Sequence, residues 1–424
     1  MRICLASQFG EGQWMNWLFA KEGHDSSAVV SEARYAEALK GLVTVMPGSE
    51  VYKASTYDLV VFDATGMGKQ ADEAREEVPT IGDSVLADKL EEDRVYSLEL
   101  MQRCGLQVPP WEKFTDPADA IRFIKKNGKR YCFKPTGTQD DKSTTYVSCS
   151  ADDMLRYFDV LFRTAKVSEF ILQEYVAGTE VSLEVYINET GYYALNATLE
   201  TKKLMNGDLG PNTGCSGSLC WMMEKETPLF EKGLKKCIAP LQEMGYVGPL
   251  DLNTIVNDSG VWALEFTPRF GYDASALLTR LLPVSFSDFL FAIASGQTVP
   301  DLSPKHSFCA SVRLSIPPYP TELLPDKFYK AGVPIQGLTE KYLDRFFVYD
   351  VRKRAEGSDD LESAGLCGWI GSPLAVGETI GAAFDGVENM LKEVRVPNSQ
   401  YRTDVRDNVA KRYLELRGGG WLKG

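Results

Sequence analysis

Residues 246–271 read YVGPLDLNTIVNDSGVWALEFTPRFG. Two runs rich in apolar residues, PLDLNTIV and VWALEF, flank Asn257, Asp258, Ser259 and Gly260. Such a turn between such runs predicts a β-hairpin. Side chains alternate along a strand, so Asp251 and Asn253 share one face of the first strand. Glu265 and Thr267 share one face of the second. A carboxylate on each of two paired strands, with a further oxygen beside one, suits Mg²⁺ (or Mn²⁺), which takes hard oxygen ligands together with nucleotide phosphates. Arg269 follows two positions after Thr267, within reach of an anion near the metal. The polar outer face of an antiparallel sheet satisfies the same spacing.

Upstream segments add to this pattern. In CFKPTG, Lys134 ends an apolar strand ahead of a Gly-containing loop. A lysine there places a point charge on a nucleotide phosphate. Lys142, within the same loop, is a second such lysine or a solvated one. The segment LQEYVAGTE ends a strand at Glu174, Tyr175 and Val176, whose backbone groups can read an adenine edge. Glu180 follows and can take ribose hydroxyls. GPNTGCSGS, residues 210–218, is poor material for a helix or a central strand, because Pro lacks a donor and Gly has no side chain to pack. It reads either as a surface turn or as a loop wrapped around a small anionic ligand.

The rest of the chain sets the bounds. Its 424 residues imply about two to four domains or subdomains. Apolar residues make up 44%, which suits packed cores. The formal net charge of −13 argues against broad binding to nucleic acid or anionic membranes. No apolar run is long enough to span a membrane. MRICLASQFGEGQW reads as a strand and a Gly loop, without the pattern of a signal peptide. Nine irregularly spaced cysteines with no C-x-x-C point away from a disulfide framework or zinc site, and toward a reduced cytoplasm. With only two histidines, any chemistry rests on carboxylates, Lys, Arg and backbone amides.

Strands and helices alternate over about the first 90 residues, the pattern of a small parallel α/β domain. The pair Gly10 and Gly12 is either a phosphate site at a helix N-terminus or a tight turn. Residues 87–105 predict one helix closed by Gly105. TDPADAIRFIKKNG predicts a helix capped by Asp116, with Pro117 first and Gly128 as its stop. Ser150 and Asp153 form a capping-box-like start to the next helix. A further helix is expected near 227–244, and beyond residue 300 strands with one helix near 379–394.

The order of these pieces resembles the ATP-grasp superfamily of ligases: Lys at a strand end, Gly loop, Q-E-Y-V, G-x-E, G-P-N-T-G, then the hairpin and E-F-x-x-R-F-G. More closely, GPNTG, the 246–271 hairpin and the C-terminal YRTDV are similar to the phosphoribosylamine–glycine ligases, also called glycinamide ribonucleotide synthetases. The resemblance is strong from about 130 to 275 and weak over the first 90 residues. It implies an N-terminal α/β domain (1–110), an ATP-grasp lid (111–168), an ATP-grasp catalytic subdomain (169–305) and a small β-rich C-terminal domain (306–424). It implies ATP and Mg²⁺ as cofactors, small-molecule amine and carboxylate substrates, and a cytoplasmic monomer or homodimer. Lys134 and Lys142 match the nucleotide-phosphate lysines, Glu174, Tyr175 and Val176 the adenine-reading segment, and Glu180 the ribose carboxylate. Glu265 matches a metal-bridging Glu, and Asp251 occupies a position that supplies a metal carboxylate in several ATP-grasp ligases. Thr267 stands beside the metal, Arg269 matches the Arg on the transferring phosphoryl group, and Lys203, Asn212, Thr213 and Gly214 match the substrate-side wall.

The chain departs from the family's pattern in three places. Gly214-Cys215-Ser216-Gly217 replaces G-G-M-G, EFTPRFGYDAS replaces E-F-N-x-R-F-G-D-P-E, and FGEGQW stands near the place of an amino-terminal G-G-R-E-H loop. These cluster on the substrate side. The implied activity is an ATP-dependent ligase that joins a carboxylate and an amine through an acyl phosphate. The alternatives are a ligase of the same fold for a different amino acid or amine in specialised nucleotide metabolism, and an inactive nucleotide-binding homologue.

Overall fold

The computed structural model describes the chain except for residues 48–52, 137–143, 300–301, 303–306, 322–329 and 424. Its first five strands are β1 (Arg2–Ser7), β2 (Asp25–Val30), β3 (Thr44–Pro47), β4 (Leu59–Phe62) and β5 (Thr80–Ile81). They form a parallel sheet in the order β3-β2-β1-β4-β5. Ile3, Leu5, Leu59 and Val61 feed one core, while Cys4, Ala6, Val60 and Phe62 feed a second on the opposite face. Burial on both faces explains the unbroken apolar runs. The strand order reverses between β1 and β4. In open α/β sheets, ligands bind at the carboxyl ends of the strands beside such a reversal.

The next sheet is antiparallel, in the order β6-β9-β7-β8. Its strands are β6 (Trp111–Phe114), β7 (Tyr131–Pro135), β8 (Tyr146–Val147) and β9 (Phe170–Glu174), so it takes in residues beyond 168. Two helices cover it, Pro117–Asn127 and Ala151–Thr164. The Asp116 carboxylate accepts the Ala118 N–H at 2.8 Å, Gly128 turns left-handed at φ 64°, and Ser150 Oγ accepts the Asp153 N–H at 3.1 Å. This unit has its own core of Phe114, Phe133, Phe158, Phe170 and their neighbours.

The third sheet has nine strands. β10 (Thr179–Asn188), β11 (Gly191–Met205), β12 (Leu209–Met222), β13 (Gly248–Asn257) and β14 (Gly260–Thr267) run antiparallel in the order β14-β13-β10-β11-β12. The expected hairpin is β13–β14. The sheet then continues through β15 (Phe308–Val312), β16 (Leu314–Ser315), β18 (Phe346–Val348) and β21 (Trp369–Gly377). The C-terminal strands therefore extend the central sheet across residue 306. A small sheet of β17 (Pro334–Ile335), β19 (Arg352–Lys353) and β20 (Leu361–Glu362) lies outside it.

Some elements differ from the sequence expectation. Residues 87–105 hold two helices, Val85–Glu92 and Arg94–Arg103. Asp93 interrupts them, and its side chain caps the second by accepting the Tyr96 N–H at 2.9 Å. The helix near 227–244 breaks at Gly233 into Pro228–Lys232 and Lys235–Glu243. Residues 210–214 belong to β12, at the exposed end of its hairpin with β11, where Gly210 and Gly214 take positive φ. Beyond residue 300 the expected helix is Ile380–Glu393, and further helices cover Glu340–Leu343 and Val405–Gly418. Among the described residues, no helix is long and apolar enough to cross a membrane.

Candidate active site

Four strands of the central sheet build one polar face. Cross-strand register sets Glu184 opposite both Asp251 and Asn196, and Ser182 opposite both Asn253 and Thr198. On the far side of β13, Asp251 stands opposite Thr267 and Asn253 opposite Glu265. The alternation read from the sequence thus brings Asp251, Glu265 and Thr267 onto a common face. Lys202 joins them from β11, donating to Glu180 at 2.5 Å and lying 3.9 Å from Glu200.

The electrostatics divide this face in two. Around Glu265, burial works to raise the carboxyl pKa, but Lys134, Arg94 and Lys202 outweigh it and hold the group below its ordinary value. Lys134 reaches this position from β7, and burial lowers its ammonium while Glu265 opposes that shift. Around Asp251, burial raises the carboxyl well above its ordinary value, and the charges of Glu184 and Glu200 add to the rise. Burial also pushes Glu184 up to about 7. Glu180 is lowered: burial opposes ionisation, and the Lys202 charge, its hydrogen bond and a 3.1 Å bond from Asn253 Nδ2 overcome it.

The face gathers several oxygen donors. The donor set fits Mg²⁺: Glu265 and Asp251 carboxylates, the Thr267 hydroxyl and the Asn253 carbonyl, all hard oxygens. Asn253 Oδ1 and Glu184 Oε2 are buried without a hydrogen-bond partner. Among the described residues, no group of three or more His, Cys, Asp or Glu side chains could hold a metal ion. Nucleotide phosphates would complete the shell, as is usual for Mg²⁺.

At the end of β9, the Glu174 N–H donates to the Pro110 carbonyl at 2.8 Å and the Tyr175 N–H to the Arg130 carbonyl at 3.0 Å. The Arg130 guanidinium lies 3.4 Å from the centre of the Tyr175 ring. The Glu174 carboxylate pairs with Lys129 at 2.5 Å. The Val176 N–H makes no such backbone bond among the described residues. Lys142 lies outside the described residues.

Arg269 follows β14 and faces the N-terminal sheet. Its Nε donates to both Glu91 oxygens, at 3.0 and 3.2 Å, and its guanidinium lies 5.1 Å from the Tyr272 ring centre. The Tyr272 hydroxyl donates to Glu11. Two of the sequence departures, FGEGQW and FGYDAS, are therefore in contact. The third is tied to them through Arg313. That guanidinium forms a buried 2.5 Å ion pair with Asp273 and donates to the Thr213 carbonyl at 3.0 Å and to Tyr319 Oη at 2.7 Å. It also stacks 3.7 Å over the Trp369 ring. The Thr213 hydroxyl donates to the Lys202 carbonyl at 3.0 Å. Asn212 and Gly214 are exposed, and Asn212 stands opposite Lys203 across a register shift. Lys202, the neighbour of Lys203, makes the ion pairs on the acidic face.

Sequence reasoning missed Glu184, Glu200, Lys202, Glu91 and Arg313. Period-2 alternation within TEVSLEVYIN and NATLETKK could have found the first three. Nothing local marks Glu91 or Arg313, whose partners lie 178 and 40 positions away.

Residues 92–275 match the family model described as phosphoribosylglycinamide synthetase, ATP-grasp (A) domain. A phosphoribosylamine–glycine ligase of Streptomyces coelicolor is 26% identical over 407 residues, covering 93% of each chain. Among solved structures, the phosphoribosylamine–glycine ligase of Thermotoga maritima superposes with a TM-score of 0.75 at 21% identity, over 95% of this chain and all of that one. The biotin carboxylase domain of Hydrogenobacter thermophilus 2-oxoglutarate carboxylase, solved with MgADP and bicarbonate, matches at a TM-score of 0.64 and 13% identity, over 100% of this chain and 99% of that one.

Proposed function

We propose that the chain, which is similar to the phosphoribosylamine–glycine ligases, is an ATP-dependent carboxylate–amine ligase of the ATP-grasp kind. The observation that carries this reading is the common face of β13 and β14 that gathers Asp251, Asn253, Glu265 and Thr267, with Lys134 of β7 acting electrostatically on Glu265. ATP would lie beside that face. The Val176 amide would meet the base, Glu180 the ribose hydroxyls, and Lys134 the phosphates, with Lys142 as a second phosphate lysine. Glu265, Asp251, Asn253 and Thr267 would hold Mg²⁺, which would neutralise charge on the phosphate oxygens.

Two steps follow. An oxygen of the substrate carboxylate attacks the γ-phosphorus, the bond to ADP breaks, and an acyl phosphate forms. An amine then attacks the acyl carbon, phosphate leaves, and the nitrogen loses a proton to give the amide. Arg269 neutralises charge that grows on the transferring group. No side chain acts as a nucleophile, which suits a site of carboxylates, lysines and arginines. The hairpin end at Asn212, Thr213 and Gly214, with Lys203, would border the acid. Glycine and phosphoribosylamine, the substrates named for the relatives, are the first pair to supply.

The test uses hydroxylamine to trap the acyl phosphate. With Mg-ATP, hydroxylamine and a panel of small carboxylic acids beginning with glycine, at least one acid is expected to give a hydroxamate with one ADP per product. ATP binding without a hydroxamate from any acid would contradict the ligase reading.

A further inference from the structure

Cys104 follows the helix Arg94–Arg103 as its C-cap, and Cys237 lies in the helix Lys235–Glu243. The two thiols hydrogen-bond each other. The chain on either side of this contact is joined as well. Lys236 Nζ donates to the Gly105 carbonyl at 2.8 Å, and the Ala263 N–H donates to the Gln107 carbonyl at 2.8 Å. Gln107 also makes a parallel bridge to Trp262 of β14. Cys237 is fully buried in the main core, whereas Cys104 packs on that core from a partly exposed position. Both are free thiols.

Their surroundings give them different parts. Cys104 is the one that a small oxidant in solvent can reach. Its hydrogen bond with Cys237 lowers its thiol from the ordinary value; burial opposes this and the Arg103 charge assists it. The same hydrogen bond, with burial, raises Cys237. The proton therefore stays on Cys237, and the thiolate, which is the nucleophilic form, develops at Cys104. An accessible, readily ionised thiol beside a second thiol is the arrangement of a redox-sensitive cysteine pair. Cys149 is more exposed, yet no hydrogen bond joins it to another thiol among the described residues.

We propose that Cys104 and Cys237 form a reversible disulfide when the protein meets hydrogen peroxide. The Cys104 thiolate attacks one peroxide oxygen, the O–O bond breaks, and hydroxide leaves and takes up the proton that Cys104 released. Cys104 is then a sulfenic acid. The Cys237 sulfur attacks Cys104 Sγ, the S–O bond breaks, and the hydroxyl departs as water with the Cys237 proton. The two sulfurs lose two electrons in all, and the peroxide is reduced to two waters. A dithiol reductant reverses the bond. Residues 104–110 are one of the two chain connections to the four-stranded unit, so the disulfide fastens the entry to that unit onto the helix Lys235–Glu243. The pair stands apart from the ligase reading and is tested without it.

The test treats the full chain with hydrogen peroxide and analyses its proteolytic peptides by mass spectrometry without reduction. A linked Cys104–Cys237 peptide is expected, lighter than the two free peptides by two hydrogen atoms and abolished by dithiothreitol. This measurement uses the unaltered chain, so it does not depend on any variant folding. In Cys237→Ala, the sulfenic acid at Cys104 has no partner thiol and is expected to be captured by dimedone. In Cys104→Ser, neither the linked peptide nor that adduct is expected at Cys237. Oxidation confined to Cys149, or Cys104 carried on to its sulfonic acid with no linked peptide, would overturn the proposal.

Discussion

Lys134, Arg94 and Lys202 hold the Glu265 carboxyl below its ordinary value while burial raises Asp251, and on that contrast we propose Glu265 as the principal metal carboxylate. Glu265→Ala and Arg269→Ala are each expected to lower kcat by roughly 10²–10³-fold, the effect of removing one group that stabilises a transition state. Steady-state ADP release checks this, and near-normal turnover in both variants would reject the assignment. Glu184 gives a prediction in pH. Its carboxyl rises to about 7 through burial, so between its unfolded value near 4.5 and about 7 the folded chain holds the proton more tightly. Its contribution to stability therefore falls as pH rises across that interval. Without nucleotide, the urea midpoint of Glu184→Gln is expected to fall less between about pH 5 and pH 8 than that of the unaltered protein. At this scale the sequence was partly legible. Alternation gave Asp251, Glu265 and Thr267 their common face, whereas Lys202 went unread, because two adjacent lysines carry no label for the face each will meet.

Among the elements, those with strong local signals were read correctly. The hairpin β13–β14 and the capped helices Pro117–Asn127 and Ala151–Thr164 each carry their own turn or cap residues. The helix Val405–Gly418 was missed because it buries only Val405, Val409 and Leu416, too sparse a stripe to read as amphipathic. Residues 210–214 were misread because their glycines and proline argue against a central strand, while the structure uses them at an exposed hairpin end. The four-stranded unit has a core separate from the rest, with Phe133 at its centre, 5.1 Å from Phe170 and 5.5 Å from Phe158 between ring centroids. Phe133→Ala is expected to cost about 3–5 kcal/mol within that unit alone. Amide hydrogen exchange should quicken over β6–β9 and stay unchanged in β10–β13. Uniform loss of protection would show that the two cores unfold together.

Across the whole molecule, the main structural fact is the nine-stranded sheet that carries the acidic face and runs on into the C-terminal strands. Pairing between β12 and β15 leaves no mark in either strand's local pattern, so a chain that reads as separate pieces folds with its C-terminal strands in the central sheet. The Asp273–Arg313 pair holds this arrangement where the hairpin end, the helix Tyr272–Thr279 and the strand after β15 meet. Asp273→Ala leaves a buried guanidinium without its carboxylate and is expected to cost about 3–5 kcal/mol, measured by urea unfolding. The central claim is that the substrate's carboxylate attacks ATP. It is tested most directly by labelling both carboxyl oxygens of the accepted acid with heavy oxygen and analysing the released phosphate after complete turnover. The account predicts one labelled oxygen in each phosphate, transferred when the acyl phosphate breaks. Phosphate free of label, with amide formed, would contradict it.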